Sequence, residues 1–120
     1  MQQLNLPATD LTPSFYFDKE KGIFNIGERS LSDNPTISFQ PVKDWLTEYS
    51  KNPNPTTVVT IKFEYYNTAT ARELLDLFKI LETIPGSKIV WQFLEDDEDM
   101  EESGQELAEL VKVPFEFQPY

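Results

Sequence analysis

The sequence predicts an α/β fold in which about three helices pack on one mixed sheet. Residues 58–65 alternate apolar and polar as a strand does, and from Ala71 to Leu81 the apolar positions recur every three or four residues as in a helix. After a Pro85-Gly86 turn, residues 88–94 return to a strand-like apolar run. A strand, a helix and a second strand within roughly 35 residues make a βαβ unit, expected to be parallel and right-handed.

In chain order, residues 1–13, with Pro7, Thr9, Thr12 and Pro13, read as an extended lead-in. Ser14-Phe15-Tyr16-Phe17-Asp18 and Ile23-Phe24-Asn25-Ile26 are short strand-like runs, and Lys19-Glu20-Lys21-Gly22 between them has the length and glycine of a hairpin loop. Gly27 to Asp33 is polar and reads as a loop. Phe39, Val42, Trp45, Leu46 and Tyr49 recur at helical spacing, so a first helix runs to about Ser50. Its start has two readings. Ser38 caps it with Pro41 in the first turn, where a missing N–H costs little, or Asn34-Pro35 opens a longer helix that Pro41 bends; the first is preferred. Asn52-Pro53-Asn54-Pro55 breaks the chain before the central strand.

In that strand Val59, Ile61, Phe63 and Tyr65 take one face and Val58, Thr60, Lys62 and Glu64 the other. In the following helix Ala71, Leu74, Leu75, Phe78 and Leu81 form the apolar side, with Arg72, Glu73, Asp76 and Lys79 opposite. The strand Lys88 to Leu94 is apolar enough to be covered on both faces. Gln105 to Lys112 reads as a third helix, shorter than the second, and Phe115-Glu116-Phe117-Gln118 as a last strand. The order is ββαβαβαβ, with no repeat and no long linker, so residues 1–120 are expected to form one domain with a modest core.

Composition removes several function classes. The chain has no cysteine and no histidine, which excludes disulfides, thiolate nucleophiles, imidazole bases and the usual zinc sites. No catalytic residue, metal site or cofactor is expected. A net charge of −11 disfavours nucleic acid and favours basic protein partners. No run approaches the roughly 20 apolar residues of a membrane helix, and Met1-Gln2-Gln3-Leu4-Asn5 lacks the basic and apolar regions of a signal peptide, so a cytoplasmic protein with no membrane partner is expected.

Two segments carry chemistry of interest. Glu95 to Glu102 holds seven of the 21 acidic residues. It reads first as a solvated loop and acidic approach to the third helix, second as a partner-docking surface, and lacks the glycine and ligand spacing of a calcium loop. Glu64 and Glu73 are expected to be solvated at the surface rather than paired for acid–base work. Between the central strand and its helix lies Asn67-Thr68-Ala69-Thr70, in which Asn67, Thr68 or Thr70 suits an N-cap. A phosphate on a hydroxyl there adds roughly −1.5 to −2 charges beside free N–H groups and the positive end of the helix dipole, which suit an anion. Of Tyr65 and Tyr66, adjacent on the strand, one is expected to face the core and the other to flank this junction.

The segment Tyr65-Tyr66-Asn67-Thr68-Ala69-Thr70-Ala71-Arg72, between an aromatic-rich strand and an apolar helix, resembles the SiaC family of small bacterial regulatory phosphoproteins. Gly27-Glu28-Arg29-Ser30, Pro41 with Trp45-Leu46 and Tyr49, and Asp96-Asp97-Glu98-Asp99-Met100 followed by Gly104 match in the same order. The resemblance implies a STAS-like fold and a switch protein rather than an enzyme. In the family the threonine of the Asn-Thr pair is phosphorylated by a dedicated kinase and dephosphorylated by a dedicated phosphatase. The unmodified form binds a target, a diguanylate cyclase in the best-known systems, and thereby acts in c-di-GMP signalling and in biofilm or aggregation control. By position that threonine is Thr68, and Tyr66, Asn67, Ala69, Thr70 and Arg72 are the surrounding partner-binding residues. Arg72 either pairs with the phosphate or stands as an ordinary exposed residue. Ala69 departs from the family, which often has a hydroxyl there. The competing readings are a constitutive adaptor in which Thr68 is only a cap, a carboxylate-based enzyme, and a STAS-like nucleotide binder, for which no glycine-rich phosphate loop is present.

Overall fold

The computed structural model describes residues 1–120. The elements are β1 (Leu4–Leu6), β2 (Ser14–Asp18), β3 (Ile23–Ser30), α1 (Thr36–Tyr49), β4 (Thr57–Tyr66), α2 (Thr68–Glu82), β5 (Ser87–Phe93), α3 (Glu98–Glu109) and β6 (Phe115–Pro119). The six strands form one mixed sheet in sequence order. β1, β2 and β3 pair antiparallel, whereas β3–β4, β4–β5 and β5–β6 are parallel. Right-handed crossovers that all step the same way across a sheet leave their helices on one face. Burial follows that layout. The cross-strand row Phe15, Ile26, Ile61 and Trp91 is buried, while Asn25 and Glu116, in the row facing the other way, are exposed. No helix is long and apolar enough to cross a membrane.

The expected hairpin and the parallel βαβ unit of β4, α2 and β5 are present, but several details differ from the sequence reading. The lead-in contains β1, whose three residues are too few to show a period; it pairs with β2, and Trp45 Nε1 donates to the Gln2 carbonyl at 2.8 Å. Gly27 to Ser30 is strand rather than loop, because parallel pairing with β4 satisfies its backbone whatever its polar side chains suggest. α1 begins at Thr36 with Pro35 at the N-cap, the longer of the two alternatives, and Pro41 lies inside it. Ser38 sits in its first turn, donating to the Pro35 carbonyl at 3.0 Å. The N–H that Pro41 lacks would have met Ile37, an exposed residue whose carbonyl water can satisfy. β5 is not covered on both faces: Lys88, Val90 and Gln92 point to the open side, where Val90 lies between its cross-strand neighbours Thr60 and Glu116.

α3 starts at Glu98 and ends at Glu109, displaced toward the N-terminus from the expected Gln105 to Lys112. Its start is marked by charge, and its buried face by Met100, Gly104 and Leu107. The Asp97 carboxylate accepts from the Met100 N–H at 3.0 Å, and Glu98, Asp99 and Glu101 fill the first turn, where the helix dipole favours negative charge.

Glu73 corrects the expectation of surface solvation. It is buried where α2 packs beside α1, with Oε1 2.6 Å from Lys43 Nζ and Oε2 accepting from Thr36 Oγ1 at 3.3 Å. The Oε1 approach lacks hydrogen-bond directionality, so charge attraction carries it. Burial by itself would lower the Lys43 pKa, yet the carboxylates of Glu73 and Asp76 outweigh it and raise the ammonium above its ordinary 10.5.

Candidate functional site

β4 hands over to α2 through Asn67, whose extended backbone (φ −94°, ψ 174°) makes it the N-cap among the three residues that suited the role. Its side-chain oxygen accepts from the Thr70 N–H at 2.9 Å and from the Thr70 hydroxyl at 2.8 Å. Its amide nitrogen donates to the Ser32 carbonyl at 2.9 Å, and its backbone N–H to the Ser30 carbonyl at 3.2 Å. Among the common cap side chains, asparagine carries its acceptor and its donor on separate atoms, so one can hold Thr70 while the other reaches Ser32. The end of β3, left without chemistry by the sequence, is thus fastened to the start of α2. Asn67→Ala is expected to destabilise the chain by about 1–2 kcal/mol, and Asn67→Asp, which keeps the acceptor but loses the donor to Ser32, by less. Urea unfolding of the two variants checks the order.

The two threonines of this turn have opposite environments. Thr70 is fully buried, with its hydroxyl 2.6 Å from that of Ser30. Thr68 is the first residue of α2 and is exposed. Thr68 is thus open to solvent in the folded chain, whereas Thr70 becomes accessible only if the cap opens. Thr68 is not the cap, so the structural task that the adaptor reading gave it belongs to Asn67. Ala69 is half-buried, and Arg72 is exposed one turn further on, on the same side as Thr68, with no carboxylate partner.

The tyrosines do not follow the simple alternation of β4. Glu28 pairs with Phe63 but Arg29 pairs with Tyr65, so Glu64 is an extra residue in β4, a β-bulge. Glu28 opposite it adopts a left-handed φ of 73°. The extra residue reverses the side-chain phase. Tyr65, expected among the core-facing residues, is 56% exposed, and Tyr66 turns inward, with its ring 5.4 Å from Phe63 and 5.9 Å from Trp91. Burial raises the pKa of the Tyr66 phenol, and the nearby Glu106 charge adds to this against the lowering effect of a hydrogen bond with Ser103.

Trp91 seats α3 on the sheet. Its indole N–H donates to the Met100 carbonyl at 3.0 Å, and Gly104 lies so close that a Cβ there would fall 2.5 Å from the indole nitrogen. Between α3 and the start of α2 runs an open groove of about 610 Å³. Thr68, Ala71 and Leu75, at helical spacing, line its α2 wall. Asp99, Ser103, Glu106 and Leu110 line the α3 wall, and the more buried Tyr66, Met100 and Leu107 lie between. Thus Tyr66, Asn67 and Thr68 share one groove, while Thr70 lies buried beneath the turn and neither Ala69 nor Arg72 lines it. The sequence put Glu106, Leu107 and Leu110 in a helix and Asp97 and Asp99 in an acidic run, but nothing local to either segment brings them to one groove with Thr68. Glu64 and Glu73 are not paired: Glu64 faces Arg29 at 3.7 Å in the open, and Glu73 is held by Lys43. No three acidic side chains converge on a metal-sized site.

Known proteins share this fold. The structure of SiaC from Pseudomonas aeruginosa superposes with a TM-score of 0.87 at 21% identity, covering 100% of both chains. The crystal structure of the diguanylate cyclase SiaD in complex with its activator SiaC, from the same organism, contains a chain that matches with a TM-score of 0.88 at 22% identity, over 98% of this chain and 99% of that one. An uncharacterized protein of Pseudomonas aeruginosa (strain UCBPP-PA14) is 24% identical over 124 residues, 100% of this chain and 98% of its own length. The family model of the SiaC family regulatory phosphoproteins matches residues 6–120, and the chain belongs to that family.

Proposed function

We propose that this chain is a non-catalytic cytoplasmic switch whose unmodified form binds and activates a diguanylate cyclase, and whose binding is cancelled by phosphorylation of Thr68. A dedicated kinase and phosphatase write and erase the mark. The observation that carries this reading is the contrast between Thr68, exposed on a groove wall, and Thr70, buried and hydrogen-bonded one turn-position inside. Family membership supports a regulatory role, and a cyclase complex of the Pseudomonas aeruginosa relative supports the class of target.

The switch is local. Thr68 continues the uncharged wall formed by Ala71 and Leu75. A phosphate placed there is a dianion under whatever packs on that wall, and burying it without a cation costs several kcal/mol. In the free chain it remains compatible with the fold, because it stands at the N-terminus of α2 with Arg72 one turn away. A partner surface around Tyr66 and Asn67, with Ala69 and Arg72 at its edge, therefore loses its fit without the protein unfolding, while Thr70, expected on that surface, is buried and supports the turn from beneath.

The test uses the host's cognate cyclase and chains carrying either threonine or genetically encoded phosphothreonine at position 68. The unmodified chain and Thr68→Val should both raise cyclase activity, and the phosphothreonine chain should bind at least ~10-fold more weakly. Equal activation by the modified and unmodified chains overturns the switch. Peptide mass spectrometry across residues 63–79 of protein from its own host is the companion measurement, with the phosphate expected on Thr68.

A further inference from the structure

We infer that β6 is an association edge, which pairs antiparallel with β6 of a second copy of this chain so that the two sheets run on as one. The inference is independent of the role of Thr68. β6 is the last strand of the sheet, and nothing pairs with its far side. The Pro114 carbonyl accepts from the Ile89 N–H at 2.9 Å, and the Tyr120 N–H donates to the Phe93 carbonyl at 3.0 Å. A parallel ladder engages every second residue of a strand, so Glu116 and Gln118 also bond toward β5, while Phe115, Phe117 and Pro119 turn their backbone groups outward. The opposite edge offers no such row: β1 has three residues, Pro7 follows it, and Trp45 already holds the Gln2 carbonyl before it.

Charge identifies the occupant. The chain carries a net −11, yet the only ionised side chain of β6 is Glu116, which Lys88 neutralises at 2.8 Å. α3 rests on β5 and β6 with Met100, Gly104 and Leu107 buried and Asp99 and Glu106 on the side toward α2. Helical spacing then turns Glu98, Glu102 and Glu109 to solvent and leaves Glu101, Gln105 and Ala108 beside β6. The most acidic helix thus shows its least acidic side to the open edge, and Phe115 and Phe117, half-buried with ring centroids 5.8 Å apart, give that edge an apolar margin.

The edge is complementary to itself in one register. A two-fold axis at Phe117 makes a reciprocal pair of bonds between Phe117 and the partner's Phe117, and another from each Phe115 N–H to the partner's Pro119 carbonyl. It sets Glu116 opposite the partner's Gln118, so no like charges face each other. Centring the axis on Glu116 opposes two carboxylates, and centring it on Gln118 leaves a single reciprocal pair, because Pro119, which has no N–H, then faces Phe117. Such a contact occupies the same edge of both copies and closes as a dimer. Its axis stands perpendicular to the sheet, so the helices and Thr68 turns of both copies lie on one side.

Sedimentation equilibrium of the full chain tests this. The mass should rise from 13.9 kDa toward twice that value as the concentration is raised to about 1 mM. Hydrogen exchange should show the Phe115 and Phe117 amides gaining protection with concentration, while those of Glu116 and Gln118, already bonded to β5, are protected throughout. Gln118→Glu sets a carboxylate against the partner's Glu116 on either side of the axis, yet still accepts from Gln92, so the fold is kept. It should weaken association about 10-fold. Gln3→Glu adds the same charge at an exposed site beside the opposite edge and should stay within about 2-fold. A chain that remains at 13.9 kDa throughout, protection that grows with concentration elsewhere in place of Phe115 and Phe117, or equal losses in the two variants each overturns the inference.

Discussion

Trp91→Ala should lower the free energy of unfolding by about 3–5 kcal/mol, the range for deleting a large buried aromatic side chain. Trp91 has no exposed surface, and its ring contacts Tyr66 and the flank of Phe115, with centroids 5.9 and 6.4 Å apart. It also holds the Met100 carbonyl and fills the space that Gly104 leaves open. The residual cavity lies directly under α3, the helix that forms one wall of the groove. Gly104 gives an internal control. In the wild-type chain Gly104→Ala drives a methyl into the indole and should destabilise, whereas in the Trp91→Ala background the same methyl enters empty space and should be neutral or stabilising. Urea denaturation midpoints at constant slope measure both effects. A loss below about 1 kcal/mol for Trp91→Ala, or additive behaviour of the pair, would show that α3 is not seated through this contact.

Lys43→Met should cost about 3 kcal/mol at neutral pH, because it leaves the Glu73 carboxylate buried without its cation. The side chains of Lys43 and Glu73 are only 15% and 10% exposed, so solvent screens the pair weakly. Removing both charges as Lys43→Met, Glu73→Leu should recover most of the loss, since an apolar pair of similar volume suits the contact between α1 and α2. The pH dependence has a definite sign. The folded-state pKa of Lys43 is raised, so its contribution is complete below the ordinary value of 10.5 and is lost as pH rises through the folded value. The wild-type chain should therefore lose stability above pH 10.5 more steeply than the double variant, whose curve lacks that step. Thermal unfolding between neutral and strongly alkaline pH compares the two; parallel curves would remove Glu73 and Asp76 as the cause of the shift.

Local pattern carried the central unit of the fold. The alternation of Val59, Ile61 and Phe63, the helical period of Leu74, Phe78 and Leu81, and the Asn67-Thr68 pair between them are short-range signals, and β4, α2 and their junction stand where those signals put them. The family resemblance at this junction also points to a regulatory role and, by position, to Thr68. What local pattern could not show depends on neighbours distant in sequence. The bulge at Glu64, which turns Tyr66 inward and Tyr65 outward, arises from a register shift against β3. Burial of Glu73 follows from α1 lying alongside α2, a contact that one helix's own periodicity does not record. Between two hydroxyl residues on either side of Ala69, with similar cap preferences, only the packing of Ser30 beneath the turn made Thr70 interior and left Thr68 outside. The groove has the same origin: its walls are single faces of α2 and α3, drawn together because both helices cover the same side of the sheet and Trp91 anchors one of them to it.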